Sequence, residues 1–471
     1  MALDTTHSRI VTCESMTLGH PDKLCDQISD ALLDAHLVRD PYTRCGIEAA
    51  ASGNEVWVFG QVASADPLST QEIETIARRV IRDAGYRTAE EGIDPETCSV
   101  RVTIDPQSRD IAQGVVKANG ALGASDQGIV YGYATDETPE GLPLPLVLAR
   151  RLTAALTTAR TGKSIPWLKP DGKAQVSVRY VDGTSPVVTA FVLSAQHAAD
   201  VDIEEVRAVL TGLAFKELGA YANAETVAHV NPTGRFVTGG PLADSGLTGR
   251  KVIADTYGGV AHHGGGAFSG KDGTKVDRSA AYAARQAALH LVHNKMAKRA
   301  EVAIAYAIGV ERPVAVSVDT FGTGTAPDSD LAELVARVDH RDAALAPPPA
   351  RPSLSLGVVA RPGAAQSELR IGHACASRST PCSRRSAAPG TARARCPRAG
   401  RRRRRPGRSS PRPPRRTRAC PWRRGRPPGP RGRSDPGGAS GGRAWRILPG
   451  LRPINGAHPG CERSAEIADA V

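Results

Sequence analysis

Apolar residues return along this chain in two rhythms. Between residues 23 and about 37, Leu24, Ile28, Leu32 and Ala35 recur at helical spacing, while Asp22, Asp26, Asp30 and Asp34 recur every four residues on another side. This predicts a helix opened by a turn at His20 and Asp22, with the aspartates as a solvated face and only Asp22, beside His20, as a ligand candidate. Residues 56–62 alternate as a strand does, and residues 71–86 then have helical periodicity with Gly85 as the stop. A strand at 187–193 precedes a helix at 203–219, and a strand at 314–321 precedes a helix from 328 to about 338. Strand, polar loop and helix thus recur at a spacing of roughly 125 to 135 residues. Three similar α+β units are expected. The first copy continues into a further strand at 99–104, as does the second; the third should and does not.

The stretches between these elements carry the chemistry. Residues 264–278 read GGGAFSGKDGTKVDR and lead into an alanine-rich helical pattern. Glycines let backbone N–H groups approach phosphate oxygens, a helix N-terminus adds positive dipole, and Lys271 and Lys275 add charge. Asp272 and Asp277 are oxygen donors of the kind Mg2+ accepts when it also holds phosphate. Gly265 to Lys271 has P-loop spacing, but Asp272 stands where Ser or Thr would hold the metal and no buried strand precedes, so that reading is rejected. The bland alternative is a flexible glycine loop with solvated lysines. The His20-Pro21-Asp22 triplet also marks J-domain co-chaperones, but no helix pattern precedes it. Residues 107–114 and 120–128 are polar and glycine-rich, suiting a mobile cover. Residues 166–173 read as a turn presenting Asp171 and Lys173 before a strand at 175–180, and residues 231–251 offer Arg235, Asp244, Arg250 and Lys251 among glycines.

The formal charge of +13 over 471 residues is unevenly divided. Residues 341–471 hold 29 Arg and no Lys against 6 acidic residues, whereas residues 1–340 hold 32 basic and 42 acidic residues. The body is therefore mildly acidic and the basic character lies in the tail, whose Arg, Pro, Gly, Ala and Ser cannot bury a core and predict disorder. A basic arm would attract nucleic acid; a GC-rich frame translated out of phase gives the same composition, and we read the tail in this second way because no aromatic interleaving accompanies the arginines. Cysteines are scattered without metal or disulfide spacing. No signal segment or long apolar run occurs, so a cytoplasmic location is expected.

Taken together these stretches resemble S-adenosylmethionine synthetase, the methionine adenosyltransferase family. The resemblance rests on ESMTLGHPDKLCDQISDALLDAH at 14–36, QSRDIAQGV at 107–115, GASDQGIVYGYATDET at 123–138, IPWLKPDGKAQV at 165–176, NPTGRFVTGGPLADSGLTGRK at 231–251 and DTYGGVAHHGGGAFSGKDGTKVDRSAAYAAR at 255–285. It covers roughly residues 8–340. It implies three interleaved α+β domains with pseudo-threefold symmetry, here placed at 1–115, 123–245 and an incomplete 246–340, followed by the tail at 341–471. It also implies a homodimer or homotetramer with sites between subunits, two Mg2+ per site, and K+. The implied reaction joins ATP and L-methionine into S-adenosylmethionine and cleaves the released triphosphate.

Carried over by resemblance, His20 sits on the triphosphate near C5′, Asp22 and Asp277 hold Mg2+ with Glu14 as a further candidate, and Glu48 binds K+. Asp171, Lys173, Arg235, Phe236, Arg250, Lys251, Ala267 and Lys271 match ATP contacts, and His20, Lys173, Arg250 and Lys271 are the implied catalytic set. Asp244 is shared between ATP and methionine, while Gln61, Gln107 and Lys275 match methionine contacts. Gln61 replaces a glutamate of the family pattern, which turns a charge-assisted contact into a neutral one. Leu18 replaces an acidic residue, Arg109 a proline and Ser125 a glycine, and a Cβ at Ser125 would be costly at positive φ. The family's C-terminal motif has no counterpart after Asp342. The rival reading is a catalytically impaired relic that binds ATP and serves as a partner subunit or, through the arginines, associates with nucleic acid.

Overall fold

The computed structural model describes residues 8–107 and 123–337. The predicted tail and most of the predicted cover, including Arg109, lie outside the described residues. Within them three sheets are built to one plan. In the first, β2 (Arg44–Ser52) and β3 (Glu55–Ala63) form an antiparallel hairpin, α2 (Thr70–Ala84) crosses over, and β4 (Ser99–Pro106) returns parallel to β3. In the second, β6 (Leu168–Val181) and β7 (Val187–His197) form the hairpin, α4 (Ile203–Leu218) crosses, and β8 (Val227–Val230) returns parallel to β7. In the third, β10 (Arg299–Tyr306) pairs with β11 (Ala315–Asp319) and α8 (Asp328–Arg337) follows. The described chain ends there, at the point where the repeat calls for a parallel strand beside β11.

Each hairpin also receives an antiparallel strand from another part of the chain. β1 (Ser8–Met16) pairs with β6, β5 (Gly128–Thr135) with β10, and the two-residue β9 (Gly246–Leu247) with β2. The three α+β units are therefore interleaved, and the weak repeat of the sequence is the pseudo-threefold plan of the fold.

Two helices cover one face of each sheet. α1 (Pro21–Arg39) and α2 cover the first, α3 (Leu144–Thr161) and α4 the second, and α7 (Val276–His293) and α8 the third. Alternation explains the choice of face: Val56, Val58 and Val62 of β3 are buried while Trp57 between them is 48% exposed. Leu24, Ile28 and Leu32 of α1 are buried to within 1% of completely, so cutting any one back to alanine should cost about 2–5 kcal/mol. α2 begins with a capping box in which Ser69 and Glu72 satisfy each other's backbone N–H, and it stops at Gly85 with φ of 112°.

Two expectations need correction. The aspartates of α1 are not a solvated face: Asp22 and Asp26 are buried, and Asp30 is paired with Arg278. A spacing of four marks one side of a helix, but it cannot tell water from a packed loop. Asp171 and Lys173 do not precede the strand either; they lie within β6, Asp171 in a register irregularity between Leu168 and Gly172 and Lys173 just after it, paired with Ser194. Among the described residues no helix is long and apolar enough to cross a membrane.

Candidate active site

The turn before α1 is fixed from three sides. Thr17 donates its backbone N–H to Gly172 O at 2.9 Å and its hydroxyl to Pro170 O at 2.8 Å, and the buried Tyr86 hydroxyl donates to Gly19 O. A Cβ on Gly19 would lie 2.4 Å from Pro170 Cβ, so only glycine passes this point. His20 then caps the helix, its Nδ1 accepting from Asp22 N at 3.2 Å, with Pro21 in the first turn where its missing N–H costs nothing. Burial above all, and then the Lys251 ammonium, lower the His20 pKa to about 4. At neutral pH it is an uncharged ring with Nδ1 used as an acceptor, so its remaining proton sits on Nε2.

Around this turn the second loop cluster closes. Asp22 Oδ1 accepts from Leu247 N at 3.0 Å, and Oδ2 lies 2.6 Å from Lys251 Nζ. Arg250 Nε stands 3.5 Å from Oδ1. Asp171, also buried, accepts from Gly240 N at 2.8 Å, and burial pushes its carboxyl up to about 6 despite that hydrogen bond. Lys173 lies 3.6 Å from Glu14, both partly exposed, and the charges of Lys173 and Asp244 act on His20 and Asp171 alike. Six candidate residues from three separate stretches of sequence, His20, Asp22, Asp171, Lys173, Arg250 and Lys251, are thus brought together, with Glu14 and Asp244 at the margin.

A second cluster forms where the glycine loop docks on β2. Gly270 N donates to Asp30 at 3.0 Å, Gly270 O accepts from Ile47 N at 3.0 Å, and Lys271 bridges Gly46. Gly46 faces Gln61 across the hairpin, so Gln61, Gly46 and Lys271 form one row. The Lys271 ammonium pairs with Asp277 in the first turn of α7, and a Cβ on Gly266 would collide with that carboxylate. Lys275 pairs with Asp272 at 3.1 Å. Asp272 is buried and also accepts from the Cys45 and Thr274 amides, so its role is to hold the loop rather than to present a free oxygen. Ser125 is not in the positive-φ region, and its Oγ accepts from Val276 N at 3.3 Å, supplying α7 with a cap that its own N-cap, Lys275, lacks. The expected cost of Ser125 does not arise.

The remaining candidates are spread more widely. Ala267 lies beside Gly249, whose added Cβ would approach it to 2.5 Å. Phe236 is pinned to the end of β7 through His197, whereas Arg235 is exposed and reaches Ala199 O at 3.4 Å. Glu48 and Gln61 are exposed on the face of the first sheet away from its helices. Gln107 keeps a buried Oε1 without a hydrogen-bond partner among the described residues, an acceptor that a ligand donor would satisfy.

Among the described residues no three His, Cys, Asp or Glu side chains converge into a metal cage. The donors fit an ion that brings its own oxygens: Asp22 lies against Lys251 and Arg250 and Asp277 against Lys271, so each would offer one carboxylate to a Mg2+ shared with a polyphosphate. The residues that motif reading missed, Lys23, Asp26, Asp30, Tyr86 and Asp255, hold the loops; the period-four ladder is the only trace of Asp26 and Asp30, and nothing local marks the other three.

Three family models match the chain in succession. They describe the N-terminal domain of S-adenosylmethionine synthetase at residues 8–109, the central domain at 121–236 and the C-terminal domain at 238–346. They take in both clusters and all three sheets, and the chain belongs to the S-adenosylmethionine synthetase family.

Proposed function

We propose that this chain forms S-adenosylmethionine from ATP and L-methionine by attack of the methionine sulfur on C5′ of ATP, followed by cleavage of the released triphosphate to pyrophosphate and phosphate. The observation that carries this is the convergence of His20, Lys251, Arg250 and Lys173 on one turn, beside the buried Asp22. Sulfur is already a good nucleophile, so the site needs no strong base, and a neutral His20 suits that. Its Nε2–H is a donor for the triphosphate near the breaking C5′–O bond, where negative charge develops. Arg250, Lys251, Lys173 and Lys271 spread further positive charge along the leaving group, and Asp171, Arg235, Phe236 and Ala267 hold the nucleotide. Gln61, Gln107, Lys275 and Asp244 would orient methionine so that sulfur lies in line with C5′.

Asp22 and Asp277, with Glu14 as a further donor, would hold two Mg2+, which when bound neutralise phosphate charge; Glu48 would hold K+. The family generally uses both ions, binds ATP and methionine, and is typically oligomeric. A homodimer, or a homotetramer of two such pairs, would bring His20 of one subunit to Lys271 and Asp277 of the other, in the cytoplasm. Full-length protein supplied with ATP, methionine, Mg2+ and K+ should release S-adenosylmethionine and phosphate in step. Lys271→Ala should lower the rate by roughly 10²–10³. A folded wild-type chain that yields no product would overturn the proposal.

A further inference from the structure

Lys23 is an unusual residue to find in the third position of a helix: its side chain is only 6% exposed and its ammonium lies between two carboxylates, Asp26 at 2.9 Å and Asp255 at 2.6 Å. Asp26 uses its other oxygen, Oδ1, to accept from Gly249 N at 2.9 Å. One turn earlier on α1, Asp22 accepts from Leu247 N at 3.0 Å. The segment from Leu247 to Asp255 is therefore tied to α1 at Leu247, Gly249 and Asp255, with Thr248 adding a bond to Cys25 O at 3.2 Å, and Arg250 and Lys251 are the two residues between the Gly249 tie and the short helix α6 (Val252–Asp255). The far end of that helix is held again by Arg150 of α3, which donates to Ala254 O at 3.0 Å and Asp255 O at 3.2 Å. Gly249 has φ of 80°, and a side chain there would run into Ala267, so the segment also leans on the glycine loop.

Such a cluster is a poor source of stability. Taking an ammonium and two carboxylates out of water costs about as much as their attraction returns, and an apolar trio of the same volume would serve the core at least as well. What the charges supply is a fixed geometry, since both oxygens of Asp26 and Oδ1 of Asp255 are each committed to one donor. We propose that Lys23, Asp26 and Asp255 are positioning residues that hold the 247–255 segment so that Arg250 and Lys251 meet the triphosphate. The proposal rests on the phosphate-binding role assigned to those two residues above.

Asp255→Asn and Asp26→Asn each leave Lys23 one carboxylate, so a buried ion pair survives in both. In full-length protein both variants should melt within a few degrees of wild type. Amide exchange across residues 247–256 should quicken at least tenfold while β10 stays unchanged. The KM for ATP and the Kd for inorganic tripolyphosphate should rise about tenfold, with the KM for methionine unchanged within twofold. Melting that falls while ATP KM and tripolyphosphate Kd stay put, collapse of both variants, or unaltered exchange across 247–256 would overturn the positioning role. If wild type makes no S-adenosylmethionine, the proposed reaction falls on its own, and the exchange and tripolyphosphate measurements still decide whether the segment is positioned by these residues.

Discussion

Asp171 holds a carboxylate where the protein would be more stable without one. Its pKa lies near 4 in an unfolded chain and at about 6 in the fold, chiefly because the side chain is buried, with the Gly240 and Gly172 amides pulling the other way. A raised carboxyl pKa means the folded state binds the extra proton. The stabilisation from that proton is complete below about pH 4 and is lost as the pH rises through about 6. Above this window the fold carries a buried anion at a cost of about 3 kcal/mol. Asp171→Asn should therefore raise the melting temperature at pH 7.5 and give no gain at pH 4, while weakening ATP binding. A variant less stable than wild type at pH 7.5 would show that the carboxylate is compensated by contacts beyond Gly240 and Gly172. The opposed effects on stability and binding are what a charge kept for its ligand should produce.

At the scale of elements, the alanine run of α7 has a reason that periodicity alone does not give. Gly132 of β5 lies directly under the helix, and a Cβ there would sit 2.0 Å from the backbone carbon of Ala284 and 2.2 Å from Arg285 N. Ala280, Ala284, Ala287 and Ala288 are buried at that contact because nothing larger lets helix and strand come so close. The clash is with backbone, which no rotamer change relieves, so Gly132→Ala should destabilise the protein by about 3 kcal/mol or more. Gly128→Ala in the same strand meets nothing within 4 Å and should be neutral, and urea unfolding of the two variants side by side measures the difference. Equal midpoints would mean that α7 can move off the sheet freely.

The same contrast explains what was legible in the sequence. α1, α2, α4 and α8 follow from apolar periodicity nearly to the residue, since each lays one apolar face on a sheet; α2, α4 and α8 turn the other outward, whereas that of α1 is covered by loops. Gly85 ends α2 as composition indicates, because only a residue tolerant of positive φ fits there. The glycine loop and the His20 turn offer, by residue type, the donors that the proposed phosphate chemistry needs. What escaped is what depends on a partner distant in sequence: the burial of the aspartate ladder, the continuation of β6 through Pro170 and Gly172, and the ties on the 247–255 segment. Asp26 and Gly249 are 223 residues apart, and no local pattern records that one will accept from the other.

At the scale of the whole molecule, interleaving decides how much of the chain the activity needs. Since β1 completes the second sheet, β5 the third and β9 the first, no unit closes without its neighbour, and the described residues must fold as a set. Every residue assigned to the site precedes residue 278, and the family match ends at residue 346. The charge divides at nearly the same place: residues 1–340 are acidic by 10, and the 29 arginines of residues 341–471 make the full chain +13. Polyanion binding driven by counterion release should follow the arginines, and the proposed catalysis the three sheets. A chain cut after residue 346 should accordingly form S-adenosylmethionine within about twofold of the full-length rate and elute from heparin at far lower salt, the full chain's retention falling steeply as salt rises. Comparing turnover and heparin elution of the two proteins checks both halves. Equal retention would place the polyanion surface on the folded units, and loss of turnover on truncation would assign residues 347–471 a part in completing the third one.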